Sequence, residues 1–282
     1  MTSKRTIDAA GKRRTYRLTL PPDATPSAGA SLLLLFHGSN QTAASLETFT
    51  GGTLEGLAAA DGVVVASLDG YKRNWNDARE HSTFPARLEG YDDVAFAVAV
   101  IDELAADYAI DTSRVFAAGF SNGGALAIRL AHEIPDRLAG VGILSATMPV
   151  AHNFAVSRDL ELPLPVIQFH GTHDRLVPYS GGMASLWGLK PRGLGVSARD
   201  TAAYFAGRNG ISTPPVETAA TTGRPQVTRL DYSAPGHAPV RLVTVEGGGH
   251  TIPGPKRAPR IMGATVTSFS AADELAAFFG LR

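Results

Sequence analysis

A serine set between two glycines, where an apolar run gives way to a helical pattern, constrains this chain more than any other stretch. Residues 115–118 are apolar, and residues 125–132 have the composition of a helix. Between them, positions 119–123 read G-F-S-N-G. In a strand–turn–helix context this pattern predicts a nucleophile elbow, in which Ser121 has a strained backbone and an exposed hydroxyl. The alternative is a glycine-rich turn without chemistry.

The wider pattern alternates apolar runs of strand length with helical stretches. Runs that are apolar throughout favour strands buried on both faces, as in a parallel sheet. We therefore expect an α/β fold with a mainly parallel, doubly wound sheet and helices on both faces. The strands are expected at about 15–20, 31–36, 63–68, 114–120, 140–145, 165–170, 227–232 and 240–245, and the main helices at 43–60, 91–108, 121–133, 197–208 and 271–279.

No internal repeat or linker divides the chain, so we expect one domain over residues 1–282. That length is ordinary for a single α/β domain. A glycine-rich stretch at about 181–200 carries Met183, Leu186 and Trp187. We expect it to be an insertion that either caps the site or packs on the core.

Composition and charge exclude several classes of function. The chain has 26 basic and 26 acidic residues and no cysteine. The balanced charge gives no electrostatic basis for binding nucleic acid, and the lack of cysteine excludes disulfides, thiolate metal sites and a cysteine nucleophile. No apolar run approaches the roughly 20 residues of a membrane span, and no signal peptide is visible. We expect a cytoplasmic protein, with a secreted protein that has lost its signal peptide as the alternative.

Chemically useful side chains follow several of the expected strands. Ser121, Asp174 and His250 each come after a strand, at the sheet edge where ligands bind in such folds. A serine hydroxyl needs a base to take its proton, and the base needs an anion to orient it. We therefore expect Ser121 as nucleophile, His250 as base and Asp174 as the orienting acid. Their order along the chain is that of α/β-hydrolases.

Other histidines and acids compete for these roles. His170 ends a strand, His173 precedes Asp174 in the chain, and the remaining candidates lie in loops or at helix ends. Solvation, helix capping or a structural role explains them more simply. The competing residues are His37, His81, His132, His152, His170, His173, His237, Asp92, Asp93, Asp136 and Asp159.

An oxyanion formed at the serine would need two N–H donors. We expect these to be the backbone N–H of Asn122 and that of Ser39, which follows the first buried strand. Among substrate-binding candidates, Trp75 and Asn76 lie in a long loop that should reach the same edge. His37 and Trp187 complete the set. A buried anchor for the loop is the alternative for Trp75, and core packing is the alternative for Trp187.

The ordered motifs resemble the poly(3-hydroxybutyrate) depolymerase and feruloyl esterase group of α/β-hydrolases. The resemblance spans roughly residues 15–256. The matching stretches are F-H-G-S-N-Q-T at 36–42, N-W-N-D at 74–77, Y-D-D-V at 91–94, G-F-S-N-G-G at 119–124, F-H-G-T-H-D at 169–174, V-P-Y-S-G-G at 177–182 and G-G-G-H-T-I-P-G at 247–254.

This resemblance implies an α/β-hydrolase fold and a serine carboxylic ester hydrolase that needs no metal or cofactor. The implied substrate is a small or oligomeric ester of hydroxyalkanoate, polyester or aromatic type. The chain departs from the group at Ser39, where a cysteine is common, and at Ile252, where a tryptophan often occurs. An amide hydrolase, an acyltransferase and a binding protein without catalysis are the alternatives.

Overall fold

Six parallel strands form the centre of a ten-stranded sheet, and antiparallel strands extend it at both edges. The computed structural model describes residues 2–22, 29–156, 158–186, 188–223 and 225–281. The strands of the sheet are β1 (Thr2–Ala9), β2 (Lys12–Thr19), β3 (Ala30–Phe36), β4 (Val64–Leu68), β5 (Ile110–Phe120), β6 (Gly140–Leu144), β7 (Val166–Gly171), β10 (Val216–Ala219), β11 (Val227–Tyr232) and β12 (Val240–Val245), while β8 (Gly182–Leu186) and β9 (Leu189–Gly195) form a separate hairpin.

The strand order is β1-β2-β4-β3-β5-β6-β7-β12-β11-β10. Every pairing from β4 across to β12 is parallel. All the strand ends that carry the candidate site residues therefore meet at one edge of the sheet. The expected α/β-hydrolase fold, with a mainly parallel sheet, is confirmed.

The central strands are buried on both faces, as their apolar runs indicated. Along β3, Leu32 and Leu34 pack into one hydrophobic cluster, whereas Leu33 and Leu35 pack into a second cluster on the opposite face. Successive side chains of a strand point to opposite faces, so an all-apolar strand supplies both cores.

Helices cover both faces of the sheet. The first cluster includes apolar side chains from the helices at 93–108, 122–133 and 198–208, and the second includes side chains from the helices at 43–50, 57–61 and 271–279. None of the helices that the structure describes is long and apolar enough to cross a lipid bilayer. The helices are α1 (Ala43–Thr50), α2 (Leu57–Asp61), α3 (Pro85–Leu88), α4 (Asp93–Tyr108), α5 (Asn122–Glu133), α6 (Ala198–Arg208) and α7 (Ala271–Phe279).

Two local elements differ from the sequence-based expectation. The single helix expected over 43–60 is two helices, because Gly51 ends α1 in the left-handed conformation with φ 74°. Strand β1 was missed because its residues are largely exposed and polar; it pairs with the antiparallel β2 at the edge of the sheet. The stretch at 181–200 contains the β8–β9 hairpin and the start of α6.

Candidate active site

Ser121 occupies the sharp turn between β5 and α5, with φ 55° and ψ −113°. Both flanking glycines are required by close backbone contacts. A Cβ on Gly119 would lie 2.0 Å from the carbonyl oxygen of Gly123, and a Cβ on Gly123 would lie 2.1 Å from that of Phe36. The neighbouring strand holds the turn, because the N–H of Ser121 donates to the carbonyl of Leu144 at 2.8 Å. The turn has the backbone geometry of a nucleophile elbow.

Asp174 and His250 lie in contact, although 76 residues separate them in the chain. The distance from His250 Nδ1 to Asp174 Oδ2 is 2.6 Å, and both side chains are buried. The other carboxylate oxygen accepts the backbone N–H groups of Leu176 and Val177, each at 2.9 Å. Burial opposes ionisation of Asp174, but the charge and hydrogen bond of His250 bring its pKa below the usual value. Asp174 is therefore the anionic acceptor, and Nδ1 of His250 carries the proton.

Glycines bring His250 close to its partners. A Cβ on Gly249 would lie 2.3 Å from the carbonyl oxygen of Met262, to which the His250 N–H donates at 2.7 Å. The imidazole ring packs on Phe120, with ring centroids 4.9 Å apart. Because Phe120 directly precedes Ser121, this contact brings the histidine ring to the elbow.

Ser121, His250 and Ser39 line one cavity of about 250 Å³. The N–H of Ser39 has no hydrogen-bond acceptor among the described residues, whereas its neighbours are held. Gly38 N–H donates to Gln41 Oε1 at 2.8 Å, and Asn40 N–H donates to a backbone carbonyl at 2.9 Å. The N–H of Asn122 is the first of α5, and the first four N–H groups of a helix have no intrahelical acceptor. Two free donors therefore lie beside the serine.

His37 is buried beneath this loop rather than exposed to substrate. Its Nε2 accepts the N–H of Gly70 at 2.9 Å, so its Nδ1 donates to the carbonyl of Gly38 at 2.7 Å. Burial lowers the pKa of His37 to about 4. The ring is therefore neutral and shapes the loop that carries Ser39, and its expected place as a substrate contact is corrected.

Trp75 and Asn76 also serve the scaffold, contrary to their expected contact with substrate. Trp75 is fully buried, and its indole N–H donates to the carbonyl of His37 at 2.7 Å. The side-chain amide of Asn76 donates to the carbonyl of Tyr91 at 2.9 Å and accepts from Arg87 at 3.2 Å. Neither residue lines a cavity described at Ser121. The third aromatic candidate, Trp187, lies outside the described residues.

Sequence reasoning missed a buried polar cluster next to the serine. The carboxylate of Asp77 pairs with the guanidinium of Arg79 and also accepts the side-chain amide of Asn122. Arg79 lines two further cavities that Ser121 also lines, of about 30 and 50 Å³. The motif at 74–77 was noted for its aromatic residue, Trp75. Its acidic residue, Asp77, was the sequence signal that could have indicated this cluster.

His170 is the histidine nearest the Asp174–His250 pair. Its Nε2 lies 3.5 Å from Asp174 Oδ2 and 2.9 Å from the carbonyl oxygen of Val177. Complete burial lowers its pKa, so it is neutral. No group of three or more histidine, aspartate and glutamate side chains suited to a metal ion occurs in the part of the chain that the structure describes.

Sequence comparison identifies the family. Residues 92–190 match the phospholipase/carboxylesterase family. NocK of Nocardia uniformis subsp. tsuyamanensis, a protein named as an esterase, is 34% identical over 289 residues, which cover 96% of this chain and 80% of NocK. The chain belongs to the esterase-like group of the α/β-hydrolases.

This esterase has further relatives in sequence and in structure. Feruloyl esterase B of Piromyces equi is 27% identical over 238 residues, which cover 82% of this chain and only 41% of that protein. The solved acetyl xylan esterase from Aspergillus awamori superposes with a TM-score of 0.68 at 14% identity, over 99% of this chain and 100% of that one. The structural likeness supports the fold, and the sequence relatives support a carboxylic ester hydrolase.

Proposed function

We propose that the enzyme hydrolyses carboxylic esters through a Ser121–His250–Asp174 triad and an acyl-enzyme. The observation that carries this proposal is the 2.6 Å contact between His250 and Asp174, with Ser121 and His250 on one cavity. A histidine oriented in this way through Nδ1 presents an unprotonated Nε2 as a base. The strained serine turn is the second support.

The reaction proceeds in two halves. Ser121 Oγ attacks the ester carbonyl carbon while His250 Nε2 takes the hydroxyl proton, and the N–H groups of Ser39 and Asn122 stabilise the oxyanion. The carbon–oxygen bond to the alcohol then breaks, and His250 returns the proton to the departing oxygen. Water, deprotonated by His250 Nε2, then attacks the carbonyl carbon of the acyl-enzyme. The bond from that carbon to Ser121 Oγ breaks, His250 returns the proton to Oγ, and the carboxylic acid leaves. Asp174 stays ionised and stabilises the imidazolium in both halves.

The cavities at Ser121 support an assignment of the alcohol and the acyl group of the ester to different cavities. The group that protonates the alcohol is His250, so the alcohol belongs in the cavity of about 250 Å³ that His250 lines. Apolar side chains such as Phe49, Leu186 and Ile261 line that space. The acyl group then enters the smaller cavities of about 30 and 50 Å³. We infer a short acyl group on a larger apolar alcohol.

This division distinguishes between the ester classes that the sequence left open. An aromatic acid such as ferulate would need its ring on the acyl side, where the space is small. A short acyl group on a larger alcohol matches the cavities better, and the names of the relatives include both feruloyl and acetyl xylan esterases. Hydrolysis of oligomeric hydroxyalkanoates remains compatible because its acyl unit is short.

The test is hydrolysis of p-nitrophenyl esters from acetate to octanoate by wild type and Ser121→Ala. Removing the nucleophile of a triad costs on the order of a million-fold in kcat, so the variant should fall to background. We expect wild-type kcat/KM to be highest for the shortest chains. The exposed Ser3 supplies a control variant, Ser3→Ala, which should match wild type.

Three results would count against the proposal. Retained activity in Ser121→Ala would exclude this serine as nucleophile. Turnover of matched amides faster than esters would indicate an amide hydrolase. No turnover of any substrate by wild type, together with no reaction with a phosphonate, would support a binding protein.

A further inference from the structure

A second arginine lies on the acyl side of the site, and the proposed reaction gives it no role. The cavity of about 50 Å³ is lined by Ser121, by both proposed oxyanion donors, Ser39 and Asn122, and by Arg79 and Arg192. Such a space holds a few water-sized groups. Both guanidinium groups therefore border the volume next to the reacting carbonyl.

The two arginines differ in their partners. Arg79 is bonded through two of its nitrogens to the buried carboxylate of Asp77. Within the described residues, the guanidinium of Arg192 forms no ion pair and donates no hydrogen bond. Its charge is instead stacked on Phe84, with the central carbon 4.2 Å from the ring centroid. Stacking uses the face of a guanidinium and leaves the N–H groups along its edge free for a planar acceptor.

The surroundings of Arg192 make an anion favourable there. None of the described residues that line the three cavities at Ser121 is acidic. The nearby carboxylate of Asp77 is already shared between Arg79 and Asn122. The site therefore keeps one positive charge, in a partly desolvated position beside an aromatic ring. Partial burial and the charge of Arg79 lower the pKa of Arg192 from its ordinary, very high value, which reflects the cost of leaving this cation unpaired.

We propose that the acyl group of the substrate carries a carboxylate, which Arg192 binds through the edge of its guanidinium. The substrate class is then a half-ester of a short dicarboxylic acid, with the apolar alcohol in the larger cavity. This inference rests on the proposed esterase function and on its division into acyl and alcohol sides. A carboxylate matches the planar fork of an arginine and can accept two parallel hydrogen bonds.

The test compares two esters with the same alcohol and nearly the same acyl shape. Benzyl hydrogen succinate carries a terminal carboxylate, and benzyl levulinate carries a methyl ketone in its place. Release of benzyl alcohol is measured by chromatography for both. We expect wild type to prefer the anionic ester at least fivefold in kcat/KM, and we expect that preference to shrink as salt is raised from about 20 to 500 mM.

Variants assign the preference to one side chain. Arg192→Met keeps a stem that can pack on Phe84 but removes the charge, and it should lower the ratio of anionic to neutral kcat/KM at least fivefold, to about one. Arg192→Lys keeps the charge without the planar fork and should retain part of the ratio. The exposed Arg13 provides the control, because Arg13→Met removes a charge outside the cavities and should leave the ratio at the wild-type value.

The outcomes separate this inference from the esterase proposal. If benzyl levulinate and the p-nitrophenyl esters are hydrolysed but wild type shows no preference for the anionic ester, the carboxylate assignment is wrong and the triad stands. A preference that Arg192→Met leaves unchanged also overturns it. If neither benzyl ester nor any p-nitrophenyl ester is hydrolysed, the proposed function itself fails. Should Arg192→Met not fold, Arg192→Lys and the salt dependence of wild type decide.

Discussion

Replacing Asp174 with asparagine should reverse the tautomer of His250. One carboxylate oxygen of Asp174 accepts two backbone N–H groups, from Leu176 and Val177 at 2.9 Å each. In Asp174→Asn the amide oxygen must remain there, because an NH₂ group would face two donors. The NH₂ therefore takes the place of the oxygen that lies 2.6 Å from His250 Nδ1. That nitrogen must become an acceptor, and the proton moves to Nε2.

A histidine protonated at Nε2 cannot accept the serine proton. The corresponding substitution in a serine protease lowers kcat by about 10⁴-fold for this reason, and we expect a loss of that order here. The loss should appear in kcat rather than in KM, since Asp174 does not line the cavities at Ser121. Raising the pH should not restore the activity of the variant, because the proton is on the wrong ring nitrogen of His250.

The assay is steady-state hydrolysis of p-nitrophenyl acetate from pH 5 to 9, with unfolding followed in parallel to show that the variant is folded. The control is Asp8→Asn on the exposed strand β1, which removes one charge far from the site. An Asp174→Asn enzyme that keeps more than a tenth of wild-type kcat would refute the reasoning. It would mean either that the amide is oriented the other way or that Asp174 does not set the tautomer.

Two further predictions concern the elbow and a buried acid. Gly123→Ala would place a Cβ 2.1 Å from the carbonyl oxygen of Phe36, so we expect at least a hundredfold loss of activity and a loss of about 2 kcal/mol or more in the free energy of unfolding. The control is Gly207→Ala, at an exposed helical position with open space, which should match wild type or gain up to about 1 kcal/mol in stability. Equal effects of the two substitutions on urea unfolding and on kinetics would contradict this prediction. Burial raises the pKa of Glu55 to about 7 in the folded protein, above the value of about 4.5 expected in the unfolded chain. Protonation of Glu55 therefore stabilises the folded state. This stabilisation is fully present below about pH 4.5 and is lost as the pH rises to about 7. Glu55→Gln should therefore increase the free energy of unfolding by about 1 to 3 kcal/mol at pH 8 and change it little at pH 4, and a gain that does not depend on pH would contradict the assignment.

The parallel sheet and the serine turn could be predicted from the sequence, because the sequence patterns that specify them are local and strong. The run of four leucines in β3 and the elbow at Ser121 each fix a backbone path within a few residues, and the parallel order of strands then brings their ends together. The same logic brought Asp174 and His250 to one edge from positions 76 residues apart in the chain. His250 Nδ1 and Asp174 Oδ2 are 2.6 Å apart in the structure.

The lining of the cleft could not be predicted in the same way. Trp75 was expected to contact the substrate, but an aromatic side chain packs equally well above or below a loop, and its indole N–H donates to the buried carbonyl of His37. Arg192 carries no sequence signal at all, since its importance depends on the lack of a partner carboxylate in three dimensions. The periodicity of apolar residues predicts helices and strands, whereas the contacts of individual side chains depend on how those elements pack in three dimensions.

The central claim is that Ser121 is an activated nucleophile, and covalent labelling tests it most directly. Wild type and Ser121→Ala would be treated with a fluorophosphonate, and the adduct would be mapped by mass spectrometry of the intact protein and its peptides. We predict one adduct per chain in wild type, located on Ser121, a rate reduced by about 10³-fold or more in Asp174→Asn, and no adduct in Ser121→Ala. An adduct on another residue, or equal labelling of wild type and Ser121→Ala, would contradict the account.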